Sequence, residues 1–289
     1  IEVPAGVRLR VFLFLHLFSG ARREGDLEWF LVRLGGLRGM KIVVWNYDLA
    51  YGDEYDLGDK EVVEAIMRRG KMGEIAGAHT GPPCSTWSAA RFVPGGPAPL
   101  RSRDSPWGLA GLSQKDRSHV DLHSKLMRNS CDIIESIVRG GGAATHEHPK
   151  DRGRPPYPSV FATSMFQAME RRCGFVRVHF PQCALGAESR KDTTVSGAVQ
   201  GLEAFGELRC EHQSHPMLIG KDEQGRFRTR KAQSYPPGFC KMLAQCYVGH
   251  FDQTNGAMQE ELSIEEAEER DKQDDPECSK LGAKLPSPE

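Results

Sequence analysis

Residues Val7 to Phe18 form a near-continuous apolar run that stops at Ser19-Gly20, and no other stretch sets such narrow bounds on the fold. A strand apolar on both sides must be covered on both faces, which makes it a central strand of a parallel sheet emptying into a tight turn. A helix follows: Asp26 can cap it, Leu27, Phe30, Leu31 and Leu34 recur at helical spacing, and Gly35-Gly36 stops it. The next apolar run, Met40 to Trp45, ends in Asn46-Tyr47-Asp48, and Asp59 to Arg69 carries Val62, Val63, Ile66 and Met67 on a second helix. The alternation is βαβα.

Further along, Ile75 to Ala78 reads as a short strand delivering the chain to Gly81-Pro82-Pro83-Cys84, where two prolines forbid ladder pairing and fix a rigid exit. Residues 91–112 hold four prolines and three arginines, and so long an irregular stretch reads as a functional loop. Ser113 to Val138 is predicted to be one long helix ended by Gly140-Gly141-Gly142, and a strand through Ala143 and Thr145 then ends at Glu147. Phe161 to Arg171 reads as helix, Phe175 to Phe180 as strand, and Gly238 to Tyr247 as a last helix, while residues 184–234 are polar and give no clear element. Together these elements predict an α/β fold, a doubly wound, mostly parallel sheet with a small irregular insert. Ligands of such sheets bind at the carboxyl ends of the strands.

Charge divides the chain. Residues 252–289 hold 12 acidic and 4 basic residues, leaving 34 basic against 27 acidic before them. A basic body permits a polyanionic partner and an acidic tail is expected to be disordered, or a frayed helix around Ile264 to Arg270. No apolar run reaches the roughly 18 residues of a membrane span, so no membrane partner is expected. Ile1 is not an initiator Met, and the chain reads as an excised or processed piece, a monomer or a domain of a larger polyprotein. Eight cysteines without regular spacing do not make a disulfide framework, and reduced thiols are expected. Cys210, His212 and His215 are near enough in the chain to share a metal if Cys183 or Cys240 folds back, yet such a loop is more often metal-free, and no metal is assigned.

Three groups should face one crevice by topology: the Phe18-Ser19-Gly20 turn, Asp48 and Cys84. Glycine lets a ligand approach the backbone, Asp48 has the position to accept ribose hydroxyls, and a thiol on a Pro-Pro turn is placed as a nucleophile. Glu147 ends another strand, where a carboxyl withdrawn from water can act as an acid.

In this order, Phe18-Ser19-Gly20, Gly81-Pro82-Pro83-Cys84 and Glu147 resemble the cytosine-5 DNA methyltransferases, over residues 9 to about 249. The resemblance implies a Rossmann-like class I methyltransferase fold, S-adenosylmethionine as cofactor and DNA as substrate, with RNA as an alternative. It gives Cys84 attack on C6 of a flipped cytosine and Glu147 the engagement of N3, with Arg190 as a looser catalytic candidate after Gln182. Phe18, Ser19, Gly20, Asp48 and Pro82 would serve the cofactor, and Asp56 and Leu57 its adenine. Arg91, Arg101 and Arg103 in the long loop, and Arg228 and Arg230 in a basic insert, would meet phosphates. The chain divides into a cofactor-binding core, 1–181, a target-recognition-like insert, 182–234, a returning helix, 235–251, and the tail, 252–289. Glu147-His148-Pro149 stands where the family has Glu-Asn-Val, and Tyr235-Pro236-Pro237 where it has a motif with Gly-Asn. A nucleic-acid-binding module without catalysis is the competing reading.

Overall fold

The computed structural model describes residues 8–216, 220, 224–225, 228, 232–254 and 260–263. Strand β1 (Arg8–Leu17) leads through α1 (Leu27–Gly36) to β2 (Met40–Tyr47), and α2 (Lys60–Lys71) leads to β3 (Gly77–Thr80). The 26-residue α3 (Gln114–Arg139) precedes β4 (Ala143–Pro149), and α4 (Ser164–Cys173) precedes β5 (Val176–Pro181). Then come β6 (Asp192–Gly197), α5 (Pro237–Gln253) and β7 (Glu260–Ser263). The caps follow the sequence: Asp26, Asp59, Ser113 and Thr163 each accept a backbone N–H in the first turn of α1, α2, α3 and α4.

The strands lie in the order β2-β1-β3-β4-β6-β5, the first four mutually parallel, with β6 antiparallel to both β4 and β5. This is the α/β, mostly parallel arrangement expected. Along β1 the side chains alternate between two cores. Phe12 and Phe14 meet Leu31, Leu243, Tyr247 and Phe251 of α1 and α5, while Leu13, Leu15 and Leu17 meet Val63, Ile66, Ile133 and Ile137 of α2 and α3. Burial on both faces is why this strand is apolar throughout, each buried Leu or Phe contributing about 1.5–3 kcal/mol. A third cluster holds α4 to α3 through Met127, Ile134, Phe166 and Met169.

Asp192–Gly197, which the sequence puts in the insert, is a strand of the main sheet between β4 and β5. Helix α5 runs to Gln253, six residues beyond the predicted end, and Phe251 stacks on Phe12 at 4.8 Å. Asp252 ties that end to Arg10 and Arg38 at 2.7 Å each. Residues 260–263 of the acidic segment pair antiparallel with Arg8 to Val11 as β7; the helix expected around residues 264–270 lies outside the described residues. Among the described residues no helix is long and apolar enough to cross a membrane.

Candidate active site

The first strand-end group is built around a left-handed backbone. Phe18 has φ 59°, uncommon for a residue with a Cβ, and its N–H donates to the Tyr47 carbonyl at 2.7 Å, locking β1 to β2 where both leave the sheet. Gly20 follows at φ 68°, with no atom within 4 Å of the place its Cβ would take. The turn therefore leaves open space beside bare backbone. The two oxygens of Asp48 shape it, accepting the N–H groups of Gly20 at 3.0 Å and Ala50 at 2.8 Å. Each still has a lone pair to offer.

Further polar groups close around this turn. Glu28, buried on α1, pairs with Arg22 at 2.6 Å and accepts from Asn46 at 2.6 Å; burial above all pushes its carboxyl up. His16, buried at the end of β1, is pushed down to about 4 by burial against the pull of Asp26 and Asp48, and its Nε2 has no partner within the protein. Asp56 and Leu57 follow in the segment between β2 and α2. Asp56 accepts the Gly58 N–H at 2.7 Å, and Leu57 is buried in the α2–α3 core with its carbonyl taken by Asn129 at 2.8 Å.

The second group forms where β3 and β4 end. Their register sets Thr80 opposite His146, so the Gly81 to Cys84 exit runs beside Glu147. A Cβ on Gly81 would stand 2.0 Å from the Tyr235 hydroxyl, so only glycine admits that ring to the site. Pro82 is buried and Cys84 half-buried. Burial pushes the Cys84 thiol up, Lys191 draws it down, and Glu147 raises it further, so the three groups share one electrostatic neighbourhood.

Glu147, 5% exposed, accepts a hydrogen bond from the Tyr235 hydroxyl at 3.1 Å and faces the Lys191 ammonium at 3.7 Å. Lys191 also lies over the Tyr235 ring at 5.5 Å and has φ 25°, a strained value for a residue with a side chain. Burial, then Glu147, holds the Tyr235 phenol well above its ordinary range, so it stays a proton donor. Behind it a buried row continues through His79 (3.3 Å), Thr145 (2.8 Å), Tyr247 (2.8 Å) and the Ala78 carbonyl.

Several expected residues are placed differently. Arg190 does not join this pocket: it is exposed and pairs with Asp192 at 3.0 Å, and its neighbour Lys191 supplies the cation. Both precede β6, and the left-handed backbone at Lys191 turns its side chain toward Glu147. Arg101 is fully buried, donating to Thr86, Pro106, Ser124 and Val120 at 2.7–3.1 Å with Trp87 under its guanidinium at 4.2 Å, so it meets no phosphate. Arg103 pairs with Asp151 at 2.8 Å, and Arg91 donates to the Ser85 and Ala98 carbonyls at 2.7 Å each. The long loop is thus clamped onto α3 and onto itself. Arg228 is exposed, and Arg230 lies outside the described residues.

The sequence pointed to neither Lys191 nor His79, and Tyr235 stood there only as the start of a motif before the last helix. The one available signal was a Lys beside a mapped Arg. Solved structures bear a likeness to the fold of this chain. The chain is similar to Dnmt2 methyltransferases. Dnmt2 methyltransferase of S. pombe aligns over 72% of this chain and 59% of its own at 10% identity, with a TM-score of 0.39. The Entamoeba histolytica methyltransferase EhMeth aligns over 73% and 57% at 10% identity and 0.36, and a mutant Spodoptera frugiperda DNMT2 over 73% and 55% at 11% and 0.36. The chain spans less than three fifths of the length of each. No family model matches the sequence, and no curated protein matches it.

Proposed function

We propose that this chain is an S-adenosylmethionine-dependent methyltransferase acting on C5 of cytosine in DNA, with Cys84 as nucleophile and Glu147 as its acid partner. The observation that carries the reading is the meeting of Cys84, Glu147, Lys191 and Tyr235 at adjoining strand ends. The open Gly20 turn, the remaining lone pairs of Asp48 and the unpartnered Nε2 of His16 fit the ribose and charged end of the cofactor. S-adenosylmethionine supplies an electrophilic methyl group.

In this reading the Cys84 sulfur adds to C6 of a cytosine drawn out of the stack, because the thiol cannot reach it inside a duplex. Addition pushes electron density to C5 and N3, and the Glu147 carboxyl donates a hydrogen bond at N3. C5 would then take the methyl group, the sulfonium leaving as a neutral thioether, and loss of the C5 proton to a base would expel Cys84 as thiolate. Lys191 favours the thiolate at both ends of the cycle.

The buried row behind Glu147, from Tyr235 through His79, Thr145 and Tyr247 to the Ala78 carbonyl, fixes the Tyr235 hydroxyl beside the carboxyl and so orients it. Arg91, Arg228 and Arg230 are the proposed phosphate contacts.

The test is adduct formation with DNA carrying 5-fluorocytosine, whose fluorine blocks the final elimination. A denaturation-resistant adduct is expected with cofactor and wild-type protein, and none with Cys84→Ala. An adduct only with fluorinated RNA would move the substrate to RNA. No adduct with either, alongside retained cofactor binding, would leave a binding module.

A further inference from the structure

We infer that Cys183, Cys210, His212 and His215 form a closed zinc site that fastens the segment after β6 to the edge of the sheet. One ligand atom from each residue lies within 4.8 Å of every other. The Cys210 sulfur is 3.7 Å from His212 Nδ1 and 3.4 Å from His215 Nε2, and the Cys183 sulfur lies within 4.8 Å of all three ligand atoms. Zinc bonds of about 2.0–2.1 Å to nitrogen and 2.3 Å to sulfur put tetrahedral ligands roughly 3.3–3.8 Å apart. Two of the distances already match, and side-chain rotation of about 1 Å closes the widest gap.

The positions of the ligands argue against coincidence. Cys183 sits buried on the turn Gln182–Leu185, directly after β5, where Gln182 is held by Thr193 of β6 at 3.0 Å. The other three lie in residues 208–216, which form neither helix nor strand. A polar stretch without regular hydrogen bonding lacks the burial that offsets the entropy of ordering it, and a metal supplies the missing tie. Cys240, the other ligand the sequence offered, is buried between α1 and α5 in the main core, away from this group. Soft thiolate with imidazole, four protein ligands and no carboxylate select zinc in a structural role over a hard or a catalytic metal. Binding converts two thiols to thiolates and releases their protons to solvent.

The site lies across the β5–β6 pair from the candidate active site. Arg190 and Asp192 line the same cavity as Cys210, His212 and His215, while Lys191 between them reaches Glu147.

The full chain, purified under reducing conditions and with zinc supplied, is measured for metal by mass spectrometry and, after cobalt exchange, for the visible bands of a tetrahedral thiolate site. One zinc per chain and those bands are expected. Cys183→Ser, Cys210→Ser and the exposed-site variant His212→Asn should each give up zinc at a chelator concentration that leaves wild type loaded, while Cys84→Ser keeps it. The inference is overturned by a folded chain without stoichiometric metal after reconstitution, by cobalt bands unchanged in Cys210→Ser, or by a Cys183–Cys210 disulfide in rapidly alkylated lysate. Folding of His212→Asn, followed by circular dichroism, separates metal loss from general collapse. None of these readouts depends on methyl transfer.

Discussion

At the residue scale the decisive contest is over the Cys84 proton. Burial and Glu147 favour the thiol, and Lys191 is the charge that opposes them. Replacing Lys191 by Met removes that pull, so the thiol rises further and the rising limb of kcat/KM against pH moves to higher pH. A fall in kcat of about 10- to 100-fold near neutral pH is expected, with KM for cofactor unchanged and Lys191→Arg restoring much of the rate. An unshifted pH limb in Lys191→Met would assign Lys191 to packing alone. How far this site could be read from the chain follows from the same residues. Cys84 and Glu147 were legible because Pro82-Pro83 and the strand before Glu147 fix each in a local pattern. Lys191 was not, because its role depends on a left-handed backbone at φ 25° and on which side of the β5–β6 turn it falls. Neither has a signature in residue order, and Arg190 next to it carried the more familiar charge.

At the scale of elements, the arginine-bearing loop 91–112 behaves as part of the scaffold. Arg101 serves two carbonyls and two hydroxyls while its charge lies over Trp87, and burial lowers its guanidinium to about 10, which keeps it charged near neutrality. Arg101→Met takes a donor from the Pro106 carbonyl and from the buried Thr86 and Ser124 hydroxyls and should cost about 2–4 kcal/mol. Urea unfolding reads this directly, and proteolysis within 91–112 should quicken. A phosphate contact would instead show as weaker, less salt-dependent DNA binding at unchanged stability. The predicted elements that the structure contains share a trait: β1, β2 and the helices α1 to α3 carry a periodic apolar stripe or run and a capping residue. Strand β6 escaped because Asp-Thr-Thr-Val-Ser-Gly has one large apolar side chain, although five of its six residues are buried. Its hydroxyls are satisfied by neighbouring elements, Thr193 by Gln182 of the turn after β5, Thr194 by His179 of β5 and Ser196 by Glu170 of α4. Hydropathy has no way of seeing a polar residue whose partners come from distant elements.

The whole molecule carries an unusual load of buried histidine. His16, His79, His123, His146 and His148 are all less than a tenth exposed, and neither ring nitrogen of His146 or His148 has a hydrogen-bond partner in the protein. Burial is the first cause in every case, holding His146 at about 3, His16 and His123 at about 4, and His79 and His148 well below their ordinary range. The unfolded chain takes up these protons near pH 6.5, whereas the fold refuses them until about pH 4 or lower. Between those limits the unfolded state binds more protons, so stability is full above about pH 6.5 and is lost as pH falls, by up to about 1.4 kcal/mol per pH unit for each histidine. Glu28 and Asp132, raised by burial, act in the opposite sense but are fewer. Urea midpoints should therefore drop steeply from about pH 7 to about pH 5, well before the paired carboxylates of Glu135 and Asp151, which are held low, begin to titrate. His146→Leu, in a pocket made by Phe161 and Phe166, removes one of these protonation sites and keeps its apolar contacts, so the slope should become shallower. A wild-type midpoint flat across that window would mean that the fold already accommodates imidazolium.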